Sequence, residues 1–221
     1  MKILALDTAT ESCSVAVLNN DVVISDYVVS PRMHANLILP MISKLLAKAN
    51  IKLKDLNYIA FGRGPGAFTG VRIAASVTQG LAFGINCKVV GISNLQALAQ
   101  RAYQKYQAQQ VLSCIDARMN EVYVGKFILN SNQEMQLQGV EQVMPPGQVT
   151  LKDNNWCGAG SGFASYAEQL PNCARKLADL LPHAEDILHL ARFALKRGEE
   201  VSMFDALPVY LRNNVATPKQ K

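Results

Sequence analysis

The sequence predicts a mixed α/β protein built of two related lobes. Three observations lead there. An apolar strand ending in aspartate occurs twice, at Asp7 and again at Asp116, about 110 residues on. Each is followed by a tight turn and then by strands of alternating character, the pattern of a half-buried β-meander. Between and after these units lie segments with helical periodicity, which add helices to the strands. With 221 residues, 49% of them hydrophobic and 18% charged, the chain is long enough for a substantial core and too apolar for a disordered one. No stretch approaches the roughly 20 apolar residues of a membrane-spanning helix. The apolar run after Met1-Lys2 is too short for a signal peptide, so the chain is expected in the cytoplasm and not at a membrane.

The elements follow in order. Lys2–Asp7 is an apolar strand, and residues 12–18 alternate, with Cys13, Val15 and Val17 on one face. Asn19-Asn20-Asp21 is turn chemistry, and Val22–Val29 closes an antiparallel meander. Leu37, Ile38, Met41, Ile42, Leu45, Leu46 and Ala49 recur at helical spacing, although Pro40 fits only near a helix start or at a kink. A strand over 57–62 runs into the densest glycine cluster, 62–70. The helix that follows, 71–84, is lined with small residues that allow close backbone approach. A strand over 88–91 and a helix over 94–106 complete a first lobe, 1–106. The second lobe, 107–221, opens with a strand over 111–116, an alternating strand over 121–129 and a weaker one over 134–140. After the linker at 144–147 come a strand over 155–161 and helices over 163–170 and 185–197. The last segment is expected to pack back on the first lobe.

Charge is unevenly distributed. The net charge is +5, and between Tyr27 and Ile115 the one acid, Asp55, faces ten basic residues. Such a bias favours an acidic partner, either a polyanion or an acidic protein, although basic faces are common and no Lys/Arg run marks an autonomous nucleic-acid module. The five cysteines have no C-x-x-C spacing, which fits reduced thiols used as small apolar side chains. His183 and His189 are six apart, so they cannot form the i, i+4 pair of a helical metal site. No metal centre is expected.

Candidate chemistry gathers at the strand ends. Asp7 and Asp116 precede turns that would face each other across a cleft between lobes, where turn amides and the Thr8 hydroxyl hold phosphate and a carboxylate holds hydrated Mg²⁺. Termination of a strand is the plainer role for either aspartate. The repetition brings the two readings level. The cluster Gly64-Pro65-Gly66-Ala67-Phe68-Thr69-Gly70 lacks the Lys-Ser or Lys-Thr of a P-loop, so its expected work is to shape a surface and start a helix. Gly158 and Gly160 follow a strand and form either a flat wall for a nucleobase or an ordinary tight turn. No G-x-S-x-G elbow is present, and His34 is expected to begin a helix or contact a partner.

Four segments together resemble the TsaB family, the bacterial subunits of the tRNA threonylcarbamoyladenosine machinery: Ile3-Leu4-Ala5-Leu6-Asp7-Thr8-Ala9-Thr10, the loop from Gly64 to Arg72, Asp116-Ala117-Arg118-Met119-Asn120-Glu121-Val122-Tyr123, and the tail Pro208-Val209-Tyr210-Leu211-Arg212-Asn213-Asn214-Val215-Ala216. The resemblance implies the two-lobed α/β fold of the actin, Hsp70 and sugar-kinase (ASKHA) superfamily, with two related mixed-sheet lobes. It implies a non-catalytic subunit required for threonylcarbamoyl transfer to the adenosine beside the anticodon, in tRNAs reading codons that begin with adenine. Its partners would be TsaD directly, TsaE in a ternary complex, tRNA indirectly, and a second copy of itself when TsaD is absent. In the catalytic relative, TsaD, a metal-binding H-x-x-x-H lies where this chain has Asn94 and Leu98, and neither is a good ligand. On this basis no cofactor is expected beyond weak nucleotide binding in a vestigial cleft at Asp7, Thr8, Asp116, Gly158 and Gly160. The expected partner interface comprises His34, Leu37, Ile38, Met41, Leu45, Arg72, Ile73 and Ala74. The alternatives are an independent Mg-ATP phosphotransferase of the same fold and, behind it, a metallopeptidase.

Overall fold

The structure, a computed structural model, describes residues 1–212. Asn213, Asn214, Val215 and Ala216, the end of the tail segment, lie outside the described residues. The first half of the chain runs β1 (Lys2–Asp7), β2 (Ser12–Asn19), β3 (Val22–Val29), α1 (His34–Lys48), β4 (Tyr58–Gly62), α2 (Phe68–Ile85), β5 (Lys88–Ile92) and α3 (Asn94–Tyr106). Its sheet has the order β3-β2-β1-β4-β5, with β1, β2 and β3 antiparallel and β4 and β5 added in parallel. The second half contributes β6 (Gln110–Arg118), β7 (Glu121–Leu129), β8 (Met135–Leu137), β9 (Gln142–Met144), β10 (Cys157–Ala159), the single-turn α4 (Gly162–Ser165), β11 (Arg175–Leu177) and α5 (Ala184–Lys196). Its sheet order, β8-β7-β6-β10-β11, repeats the first, again with an antiparallel trio and two parallel additions. The doubled strand–aspartate–turn pattern is therefore a doubled sheet.

The central strands of the first sheet are buried on both faces, and their period-two pattern sorts side chains between two helical layers. Leu4, Leu6, Cys13, Val15 and Val17 pack with α1 and α2, while Ile3, Ala5, Ala16 and Leu18 pack with α5. The two helices at the lobe junction are exchanged relative to chain order. Leu95, Leu98, Ala99 and Ala102 of α3 join the core of the second sheet. Ile187, Leu188, Leu190 and Ala191 of α5 cover the first sheet. A boundary at residue 106 thus follows the chain, whereas the packing crosses it. The Ala184 amide at the start of α5 donates to Ser14 Oγ at 2.9 Å, and Val201 pairs with Val89 beyond its end.

Some local expectations change. The helix expected over 163–170 is only α4, because Phe163 is pulled into the core of the second lobe and turns follow. The weak strand at 134–140 shortens to β8, and β7 gains a second partner in β9. Pro40 sits on the solvent side of a helix that continues through it. Leu190 is 1% exposed in the layer between α5 and the first sheet. Leu190→Ala is expected to cost about 2–5 kcal/mol, read as a lower urea midpoint at unchanged m-value.

Candidate functional site

Between the lobes lies a cavity of about 650 Å³. Its first-lobe wall is the β1–β2 turn, at Ala9, Thr10 and Glu11, with the loop from Pro65 to Arg72. Ile115 to Arg118, with Ser161 just before α4 and Ser165 at its end, line it from the second lobe. The glycine loop builds this wall by backbone contact. A Cβ at Gly70 would meet the Thr8 carbonyl oxygen at 2.0 Å, and one at Gly66 would meet that of Ala9 at 2.4 Å. Thr8 Oγ1 donates to the Gly70 carbonyl at 2.7 Å, and the Ala67 amide donates to the Ala9 carbonyl at 2.7 Å. These glycines seat the start of α2 on the β1–β2 turn.

The expected nucleotide positions do not form an open site. Asp7 and Thr8 are fully buried and do not line the cavity. Asp7 Oδ1 accepts from Asn94 Nδ2 at 2.7 Å and from the Ala9 amide at 3.3 Å, beneath Gly62, whose Cβ would collide with it. Gly158 lies under the Phe163 ring, 2.3 Å from where its Cβ would stand, so the ring takes the place of a base. Gly160, at φ +104°, packs on the Cys114 carbonyl as a tight turn. Asp116 does face the cavity, but its carboxylate is already engaged. It accepts from the Arg118 amide at 2.8 Å and the Arg118 guanidinium at 3.1 Å, from Ser165 Oγ at 3.1 Å and from Tyr166 Oη at 3.3 Å. Asp7 thus lies buried away from the cavity, and Asp116 borders it with both carboxylate oxygens bonded within the protein. Among the described residues no group of three or more His, Cys, Asp or Glu side chains could hold a metal ion.

Sequence reasoning placed Asn94 only as a substituted metal ligand. In the structure it joins three elements: its Nδ2 reaches Asp7, and its Oδ1 accepts from the Gly64 amide at 2.8 Å. Leu98 is fully buried in the core of the second lobe. This pair does not fit a metal. The tail also does more than its sequence showed, passing along the cavity mouth and touching both lobes. The Val209 amide donates to the Arg63 carbonyl at 2.8 Å, and Arg72 Nε donates to Tyr210 Oη at 2.8 Å. Arg212 donates to Glu121 at 3.1 Å and to the Ala117 carbonyl at 3.1 Å.

The expected partner residues divide. His34, Ile38, Met41, Leu45 and Ala74 are buried, His34 bonding the Ser12 carbonyl oxygen at 3.1 Å and the rest packing in the core. They are corrected to core residues, because the apolar stripe of α1 and the Ala74 side of α2 face the core of the first lobe. Leu37 and Ile73 are partly covered at its edge, and Arg72 is exposed with its guanidinium 3.4 Å above the Phe68 ring. The open surface of this lobe consists instead of Leu39, Phe68 and Phe83, together with Ser76, Gly80 and Gly84 on the outer side of α2. Nothing lies within 4 Å of a Cβ added at Gly80 or Gly84.

The repeated sheets and the interlobe cleft define a two-lobed α/β protein of the actin, Hsp70 and sugar-kinase kind. The family model described as TsaD, tRNA N6-adenosine threonylcarbamoyltransferase, matches residues 28–219. The tRNA threonylcarbamoyladenosine biosynthesis protein TsaB of Escherichia coli strain K12 is 41% identical over 226 residues, covering 99% of this chain and 98% of that protein. TsaB of Haemophilus influenzae is 39% identical, with 99% and 97% covered. The solved structure of YeaZ from Pseudomonas aeruginosa superposes with a TM-score of 0.92 at 51% identity, covering 95% of this chain and 99% of that one. The chain belongs to the TsaB family, within the wider group that the TsaD model describes.

Burial pushes the Asp7 carboxyl up from 3.8 to about 6, against the opposing effects of the Asn94 and Ala9 hydrogen bonds and of His34. The folded chain therefore keeps this proton at a pH where the unfolded chain has released it. The contribution of Asp7 to stability is full below pH 3.8 and falls as pH rises to about 6. Asp7→Asn is expected to flatten that part of the stability profile in urea titrations at pH 4, 5 and 6. Asp186, raised to about 7 by burial, still contributes in the variant.

Proposed function

We propose that this chain is a non-catalytic subunit of a tRNA-modifying transferase, working in the cytoplasm. It would hold a TsaD-type catalytic partner in its active form, with a TsaE-type ATPase as the third protein, while a threonylcarbamoyl group is transferred to tRNA adenosine. Membership of the TsaB family carries this reading, and the use of Asn94 supports it. At the position where the resemblance implies a metal-binding histidine in the transferase, this chain has an amide already bonded to Asp7 and Gly64, followed by a core leucine at Leu98. Asn94 there ties α3 to β1 and the glycine loop, which supports a structural role for this position.

The docking surface we assign is the outer side of α2 with the neighbouring exposed part of α1. Phe83 is 68% exposed and Leu39 50% exposed, and Gly80 and Gly84 leave open backbone on α2. A partner helix could lie close to that backbone, with the aromatic side chains as anchors. A second copy of this chain would use the same surface when the partner is absent.

Gly80→Arg tests this directly. A Cβ at this exposed position meets nothing within 4 Å, and replacing glycine in a helix gains roughly 0.5–1 kcal/mol of stability. The variant is expected to melt at or above the wild-type temperature, to lose at least about tenfold in TsaD affinity by calorimetry, and to fail to support modification with TsaD, TsaE, ATP and tRNA. Full modification by TsaD and TsaE without this chain would refute the reading. Wild-type affinity of Gly80→Arg would refute the surface.

A further inference from the structure

A cavity of about 390 Å³ opens on the side of the first sheet away from α1 and α2. Its walls are the end of α3, Tyr27 of β3 and the segment after β11, and its cations are Arg101, Lys105 and Lys176. Arg175 stands beside it with its guanidinium 4.4 Å above the Tyr106 ring. Stacking leaves the guanidinium edge, and its N–H donors, pointing outward.

The acids nearby do not cancel these charges. Arg101 is held by Asp186 at 3.3 Å and by Glu185 at 3.5 Å, so it serves as a wall. Asp179 is exposed at the rim. Lys105, Arg175 and Lys176 make no ion pair among the described residues. The field is felt inside the protein, where burial, with Arg101 and Lys105 adding to it, drives His183 down to about 3. The concavity thus carries two unpaired lysines, Lys105 and Lys176, against one acid, Asp179, with Arg175 stacked on the Tyr106 ring at its edge. A phosphate backbone is the acidic ligand that such a combination fits: cations meet the phosphates and the ring meets a sugar or a base.

We infer that Lys105, Arg175, Lys176 and Tyr106 form a contact surface for the phosphate backbone of RNA, placed so that tRNA and the partner docked on α2 occupy opposite sides of the first sheet. This deepens the proposed function, on which it rests for the identity of the RNA. The geometry supports the placement: the core residues against α1 and α2 and those against α5 alternate through the same strands, and α3 meets α5 on the second of these faces.

The test compares wild type, Lys105→Gln/Arg175→Gln/Lys176→Gln, and a control that removes the same charge elsewhere, Lys48→Gln/Lys52→Gln/Lys54→Gln. Each is assembled with TsaD, and binding to unmodified tRNA is measured from 50 to 300 mM salt. All substituted side chains are exposed, and melting curves check that folding is retained. The patch variant is expected to bind tRNA about tenfold or more weakly near 0.1 M salt, with the slope of log K against log salt reduced by about 2–3. The control is expected to keep wild-type affinity and slope. Equal behaviour of patch variant and control would overturn the inference. So would a patch variant that binds tRNA normally and loses TsaD, which would mark an acidic protein as the occupant. If the wild-type chain fails to support modification, the functional reading falls, and the RNA-binding series still decides the surface.

Discussion

The interlobe geometry depends on one side-chain amide. Asn94, at the first turn of α3, donates to the buried Asp7 carboxylate at the end of β1 and accepts from the Gly64 amide at the start of the glycine loop. Each of those partners would be expensive to leave unpaired in a buried site. Together the two bonds fix three elements that converge on the cleft: the strand of the first lobe, the loop that launches α2, and a helix whose apolar side belongs to the second lobe. The second oxygen of Asp7 has no partner among the described residues, so the carboxyl is held at a desolvation cost that its raised proton affinity reports.

That arrangement changes what the cleft can do. The scaffold keeps the strand ends and turns that the sequence singled out, with their polar side chains bonded within the protein. Asp116 accepts from Arg118, Ser165 and Tyr166, and Phe163 covers Gly158. The remaining cavity is bordered by the tail, where Arg72 bonds Tyr210 and stacks on Phe68. Arg72 therefore belongs both to the cleft wall and to the outer groove of α2. Contacts made on α2 and the state of the cleft share this residue.

Much of the fold was legible in the sequence because it rests on periodicity. The antiparallel trio at each lobe's start alternates residue by residue, and α1, α2, α3 and α5 carry stripes long enough to read. The recurrence of strand and aspartate at Asp7 and Asp116 correctly pointed to a doubled sheet. Short elements such as α4 and β11 left no periodic trace, being three or four residues set by their neighbours. The candidate site was harder to read for a similar reason. The stripe through Ile38, Met41 and Leu45 is visible, but whether it meets a sheet or a partner is decided by tertiary packing. Whether Gly158 faces a ligand or an aromatic ring depends on Phe163, whose contact follows from the turn after β10 and from no motif.

The exchange of α3 and α5 has a consequence for how the chain behaves as a whole. Cut at residue 106, the leading fragment would carry a helix stripped of most of its core partners and a sheet with one largely bare side, and the trailing fragment would have the converse defects. Neither piece is a domain in the sense of an independently foldable unit. The molecule is better pictured as two hands, each gripping the other's wrist. Melting should be a single event, and any rocking of the lobes must turn about the crossed forearms while the grip holds.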